Sequence, residues 1–306
     1  MNEKVMIGTW AWGPGQNGSK MVFGQSYDEQ VLKEAFDRSV SLGFLDWDTA
    51  AVYGMGSCER LLGGFMKGRD DIYLSTKFMP GGRYKAGALT ESFNQSMERL
   101  GRTYADLFWI HRPSNLIPNL KEAIPLIKEG KIKSIGISNV SLDHIKQAEE
   151  FLAKEGLRLG AVQNHFSLIR GDQQPIIDYC NKNGIRYYAY MVLEQGALAG
   201  RYSAKNHFPT FSFRNFMFPK RKFKKIEGLL EEMKKMAEEL NIDRSQIPIL
   251  WAIGKGAIPI VGITKASYAD KLAEALKVEL TKEQIDKLTE EAVKTGLRQQ
   301  GVWEPQ

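Results

Sequence analysis

Short apolar runs alternate with amphipathic stretches along nearly the whole chain. Strand-like runs fall at 5–9, 44–48, 72–77, 105–111, 132–138, 160–163, 186–190 and 258–262. Between them, apolar positions recur with helical spacing over 28–42, 57–67, 89–100, 119–130, 141–154, 174–183, 245–255 and 267–276. Strands joined by helices of this length predict right-handed crossovers and a parallel sheet. Eight repeats of the unit predict an α/β fold closed as a (β/α)₈ TIM barrel, not an open sheet. Punctuation agrees with the helices. Gly101, Gly130 and Gly184 stand where helix C-termini favour glycine, and Ser141 and Asp143 where an N-cap and a first-turn acid belong. No linker or composition shift divides the chain, so residues 1–306 are expected to form one domain.

Two segments break the rhythm. Residues 202–225 carry Phe208, Phe211, Phe213, Phe216 and Phe218 with neither period, and predict a long loop after the seventh strand. Its aromatics fit a satellite core beneath the loop, a pocket wall, or both. Residues 226–241 predict an extra helix before the seventh barrel helix. From Thr281 the chain predicts a C-terminal helix and a tail that includes Trp303.

Composition narrows the class. With 306 residues, 43% of them apolar, the chain can bury the core of one barrel. Cys58 and Cys180 have no metal or redox spacing, which argues for a reducing compartment. The opening MNEKVMIGTW lacks the apolar region of a signal peptide. The apolar segment from Ile247 to Ile263 is interrupted by Lys255 and two prolines, so it is not a membrane span. A soluble, cytoplasmic protein is expected. Much of the net charge of +6 sits at Lys220, Arg221, Lys222, Lys224 and Lys225. That run fits a solvated face, with no nucleic-acid motif beside it. A phosphate-bearing small molecule is the expected anionic partner.

The candidate chemistry lies where apolar runs end. FLDWDTAAVYG places Asp48 and Tyr53 five positions apart, Lys77 closes DIYLSTK, and His111 closes ADLFWIH. In a parallel barrel the C-terminal strand ends converge on one face, where the active site lies. One buried Asp–Lys pair reads as structural and one histidine as a satisfied core residue. Four such groups on three neighbouring strand ends are a less probable accident. Two unit charges about 4 Å apart at an effective dielectric of about 20 interact by about 4 kcal/mol. An ammonium at Lys77 is therefore expected to pull a Tyr53 phenol from about 10 towards neutrality. Asp48 would hold that ammonium, His111 would orient a substrate oxygen, and Tyr53 would be the general acid. No metal is needed, and no ligand cluster is spaced to hold one.

These segments resemble the aldo-keto reductase superfamily over nearly the whole chain. GTWAWG, DTAAVYGMGSCERLLG, STKF, DLFWIHRP, GKIKSIGISN, VQNHFSL and IPIVGITK stand in that family's order. The resemblance implies a carbonyl reductase using NADPH, with NADH as the alternative, and a tetrad at Asp48, Tyr53, Lys77 and His111. It further implies that Ser138, Asn139 and Gln163 bond the nicotinamide carboxamide and that Tyr190 stacks on its ring. Leu193, Gln195 and Gly196 would run along the pyrophosphate, with Thr9 and Trp10 also at the cofactor. Lys265 would meet a 2′-phosphate. Trp12, Met79, Tyr84, Phe208, Phe211 and Trp303, with Trp10, would wall a pocket for an apolar carbonyl substrate.

The chain also departs from the family pattern. YMVLEQG replaces the family's frequent YSPLGRG, so Gln195 stands for the usual arginine. Lys271 and Leu272 replace a common Glu-Asn pair, and Gly262 and Tyr268 stand where some branches are basic. Two other readings stay open: an NAD-dependent alcohol or sterol dehydrogenase running oxidatively, and a cofactor-binding regulatory subunit on the same fold.

Overall fold

The computed structural model of the chain describes residues 4–299. Eight parallel strands close into a barrel in sequence order, each paired with its neighbours and the last with the first. They are β1 (Met6–Gly8), β2 (Asp46–Asp48), β3 (Tyr73–Phe78), β4 (Leu107–Ile110), β5 (Ile135–Ser138), β6 (Ala161–His165), β7 (Arg186–Tyr190) and β8 (Ile258–Gly262). After β1 come a short helix α1 (Ser19–Phe23), which the sequence pattern did not predict, and α2 (Glu29–Ser41). The crossovers then carry α3 (Ser57–Phe65), α4 (Ala88–Leu100), α5 (Leu116–Lys128), α6 (Leu142–Lys154) and α7 (Gln174–Lys182). Ser141 caps α6 by accepting from the His144 amide, with Asp143 in the first turn.

Between β7 and β8 the predicted loop contains two short helices, α8 (Phe213–Met217) and α9 (Lys220–Lys225). Neither carries a readable period, because five or six residues make less than two turns. The extra helix follows as α10 (Glu227–Glu239), then the seventh barrel helix α11 (Ile247–Gly254). After β8 come α12 (Ala266–Ala275) and the C-terminal α13 (Lys282–Lys294). No helix among the described residues is long and apolar enough to cross a membrane.

The alternation of strand side chains separates two apolar cores. Outward-facing residues pack on the helices in the larger one. Inside the barrel, Met6, Leu107, Trp109, Ala161 and Tyr188 form a second cluster. The rings of Trp109 and Tyr188 meet edge to face at 5.5 Å. Gly136 makes room for Trp109, since a Cβ there would lie 2.3 Å from the indole. Gly136→Ala is accordingly expected to cost about 1–3 kcal/mol, read as a lower midpoint in chemical denaturation.

Following the same faces upward explains the position of the site. On β3, Tyr73 and Ser75 lead to Lys77; on β4, Leu107 and Trp109 lead to His111; on β7, Arg186 and Tyr188 lead to Tyr190. The polar residues are therefore the top layer of the barrel's own interior.

Candidate active site

Asp48 and Lys77 form a buried ion pair, with side chains 4% and 0% exposed. The ammonium also donates to Thr49 O at 2.7 Å. From below, the Ser75 hydroxyl donates to Asp48 Oδ1 at 2.6 Å while accepting from Trp109 Nε1 at 2.7 Å. A chain of polar contacts thus ties the barrel's apolar plug to the carboxylate. Thr9 bonds the Asp48 carbonyl through both its amide and its hydroxyl.

Tyr53 opens a one-turn helix just beyond β2, in which Gly54 and Met55 are left-handed with φ of 55° and 52°. A Cβ on Gly54 would lie 2.1 Å from Ser57 Oγ and 2.5 Å from Pro14 O, so this tight turn requires glycine. The turn sets the Tyr53 ring between Trp10, stacked at 5.7 Å, and His111, whose ring centroid is 6.0 Å away edge-on. Lys77 Nζ lies 4.9 Å from the Tyr53 ring centroid.

The sequence leads one to expect Lys77 to lower the phenol, and the structure differs. Burial, and then the Asp48 charge, hold Tyr53 well above the ordinary phenol range. The ammonium is directed at Asp48 and Thr49, and its pull on the phenol does not outweigh burial and the Asp48 charge. Burial also draws Lys77 below the usual lysine range, against the opposing pull of Asp48. Cys58, next to this turn, is pushed up to about 12 by burial and is an inert thiol.

Burial, with Lys77 and Arg112 nearby, pushes His111 well below the usual histidine range. The imidazole is therefore neutral at physiological pH. Below about pH 6.5 the unfolded chain takes up a proton at this position that the folded protein refuses, so stability falls as pH falls. His111→Gln is expected to lessen the acid loss of stability by about 1 kcal/mol between pH 6.5 and 5.5. Urea unfolding midpoints of the two proteins at both pH values test this.

Beyond the tetrad a cavity of about 690 Å³ runs from Asp48, Tyr53 and His111 past Asn139, Gln163 and Tyr190 to Leu193, Gln195 and Gly196. Gln163 Nε2 and His111 Nδ1 are buried without a hydrogen-bond partner among the described residues. Asn139, itself left-handed at φ 60°, receives the Tyr190 hydroxyl at 2.6 Å and donates to His111 O at 2.9 Å. Ser138 sits just behind, fully buried, with its Oγ 3.2 Å from Asn139 Nδ2.

The far end of the cavity is cationic. Arg201, Arg214, Arg244 and Lys271 line it, and Lys271 pairs with Asp243 at 2.5 Å. None of the three arginines stood out in the sequence, because they lie just before, in and after the aperiodic segment. Lys265 is exposed at the N-cap of α12 and is not part of the wall, whereas Thr264, Tyr268 and Lys271 are.

The residues expected to contact substrate are scattered. Trp12 is buried against Trp47 and donates to Ile263 O at 2.7 Å. Phe208 is buried against Tyr202 and Phe223, with Phe218 beside Phe223, as part of the larger core rather than a separate one. Phe211 is fully exposed, Tyr84 exposed and Met79 half-buried, all off the cavity wall. Trp303 lies outside the described residues. The aromatic wall near Tyr53 is Trp10, as expected, with Phe23 edge-on against it, and Tyr27 lines the far end of the cavity beside Thr264.

The model of the Aldo/keto reductase family matches residues 4–292. The chain belongs to that family. It is therefore an oxidoreductase built on this family's barrel. Among family relatives, the NADP(+)-designated aldo-keto reductase yakc of Schizosaccharomyces pombe is 28% identical over 300 residues, covering 92% of this chain and 87% of its own. A glycerol dehydrogenase from Gluconobacter oxydans superposes with a TM-score of 0.80 at 22% identity, over 99% of this chain and 93% of that one. An aldo-keto reductase from Klebsiella pneumoniae solved with NADPH gives 0.72 at 22% identity, over 94% and 90%. At these identities the two solved structures speak for the fold alone.

Proposed function

We infer that this aldo/keto reductase reduces an aldehyde or ketone to an alcohol with NADPH, Tyr53 donating the proton. The observation that carries the reading is the placement of a protonated, accessible phenol beside a neutral His111 at the closed end of a dinucleotide-sized cavity. The residues present fit the cofactor. Gln163 Nε2 is a buried donor with no partner among the described residues, suited to a carboxamide oxygen. Tyr190 offers a ring face, and Gly196 at φ 100° permits close backbone approach to a diphosphate.

When bound, the reduced nicotinamide supplies a hydride. The protein's own residues do the rest. Tyr53 O–H points its proton at the carbonyl oxygen, and His111 bonds the same oxygen and fixes its lone pairs. The Lys77 ammonium, 4.9 Å from the Tyr53 ring centroid, offsets part of the cost that burial and Asp48 set on the phenolate left after proton transfer. Trp10 and Phe23 exclude water from that end, which favours apolar carbonyls. Turnover of NADPH with a panel of aromatic and aliphatic aldehydes tests the assignment. NADPH that binds yet is consumed with none of them would overturn it.

Preference for the 2′-phosphate is assigned to the far cations, Arg244 foremost. Charge-assisted contacts of this kind are worth about 1.5–3 kcal/mol. Arg244→Ala is therefore expected to raise the KM for NADPH about tenfold or more and to leave that for NADH nearly unchanged. Parallel kinetics with the two cofactors check this.

A further inference from the structure

Glu194, His165 and Ser167 form a buried cluster that the proton transfer does not use. Glu194 is 3% exposed and His165 2%. Glu194 Oε1 lies 2.8 Å from His165 Nε2 and accepts a hydrogen bond from the Ser167 hydroxyl. On α9, half-buried Lys222 is close enough to feel the Glu194 charge. Strands β6 and β7 pair with His165 opposite Tyr190. The imidazole therefore stacks on the Tyr190 ring, with centroids 5.5 Å apart and planes 27° apart. Tyr190 in turn bonds Asn139, which bonds the carbonyl of His111. A continuous path of contacts runs from a carboxylate in the loop after β7 to the backbone of the tetrad histidine.

The backbone of that loop is a second, independent observation. Met191, Glu194 and Gln195 are left-handed, at φ of 61°, 48° and 53°. Residues with a Cβ avoid this region, and it persists only where the surroundings hold it. Leu193, Gln195 and Gly196 line the cavity, while the Glu194 side chain runs back into the protein. A carboxylate in a dry interior stands only where partners meet it. His165 and Ser167 therefore decide where Glu194, and with it the turn, can stand.

We propose that Glu194 and His165 are a positioning pair for the dinucleotide. The carboxylate locks the turn from Met191 to Gly196 against β6, and the imidazole backs Tyr190 so that its ring keeps one plane for the nicotinamide. This rests on the NADPH reading above. Because neither side chain reaches the carbonyl, loss of the pair is felt in cofactor affinity and much less in turnover at saturating cofactor.

Calorimetric titration with NADP⁺ tests it on the wild type, Glu194→Ala, Glu194→Gln, His165→Leu and the Glu194→Ala/His165→Leu double variant. Glu194→Ala and His165→Leu are each expected to weaken binding about tenfold, with kcat at saturating NADPH within about threefold of wild type. The double variant is expected to be no weaker than either single one, since both remove the same contact. Glu194→Gln still offers one oxygen to Ser167 and His165, and is expected to recover binding to within about threefold. It also keeps the test open if Glu194→Ala does not fold, as does Ser167→Ala, which should weaken binding by a similar small factor. Wild-type protein that does not bind NADP⁺ would overturn the cofactor assignment itself. Wild-type binding matched by every folded variant, or additive losses in the double variant, would overturn the positioning role alone.

Discussion

Tyr53→Phe is expected to lower kcat for carbonyl reduction by about 10²–10⁴-fold while leaving NADPH affinity unchanged. The substitution removes one oxygen. The phenylalanine ring can keep the stack on Trp10 at 5.7 Å and the edge contact with His111. What disappears is the proton donor, and neutral His111 is a poor replacement because burial holds it unprotonated. The pH profile gives a second readout. Burial and Asp48 hold the phenol above its ordinary value of about 10, so the acid stays protonated through the neutral range. Loss of kcat/KM should set in only at strongly basic pH in the wild type, and Tyr53→Phe should abolish that limb. A variant that kept turnover within tenfold of wild type would remove Tyr53 from its role.

The second large effect is on stability and activity together. Lys77→Met is expected to destabilise the fold by about 3–5 kcal/mol, because it strands the Asp48 carboxylate in the barrel interior. Asp48 keeps the Ser75 hydroxyl as a partner, and Ser75 keeps Trp109, but a single neutral donor does not balance a buried charge. Asp48→Asn/Lys77→Met should recover more than half of that loss, since the pair is removed as a unit. It should recover none of the activity, because the phenolate would still lack its cation. Urea unfolding of the three proteins measures the first part and NADPH consumption the second. A single variant within about 1 kcal/mol of wild type would show that the pair is not ionised in the folded protein.

The barrel was legible because its signal is redundant. Each strand is a short apolar run and each crossover an amphipathic stretch, so local pattern and global fold agree eight times over. The shortest pieces were not legible. Helices α1, α8 and α9 have five or six residues, too few to show a period, and are held by tertiary contact. The polar strand ends stood out for the same reason as the strands. Asp48, Lys77 and His111 each follow an apolar run, and a charged group there is conspicuous.

Walls were harder to read than strand ends. Trp10 and Trp12 are two residues apart and chemically alike, yet Trp10 faces the cavity and Trp12 is buried against Trp47. Nothing in GTWAWG distinguishes them, since the segment after β1 is irregular and alternation no longer applies. The same holds for Phe208 and Phe211, one buried in the larger core and one fully exposed. Arg201, Arg214 and Arg244 meet only because the long excursion after β7 folds back over the barrel mouth.

By itself, the sequence determined the barrel, the order of its elements and which polar residues stand at the strand ends, because these follow from hydrophobic periodicity along the chain. Tertiary structure alone decided the protonation balance. Desolvation depends on how many atoms from distant segments surround a group, and it raised Tyr53 and lowered His111 where pairwise charge had predicted a lowered phenol. It also decided the cationic end of the cavity and the Glu194–His165 contact, which join residues 29 positions apart through strand register. Local pattern specifies which face a strand side chain takes, and only the closed barrel specifies what it meets there.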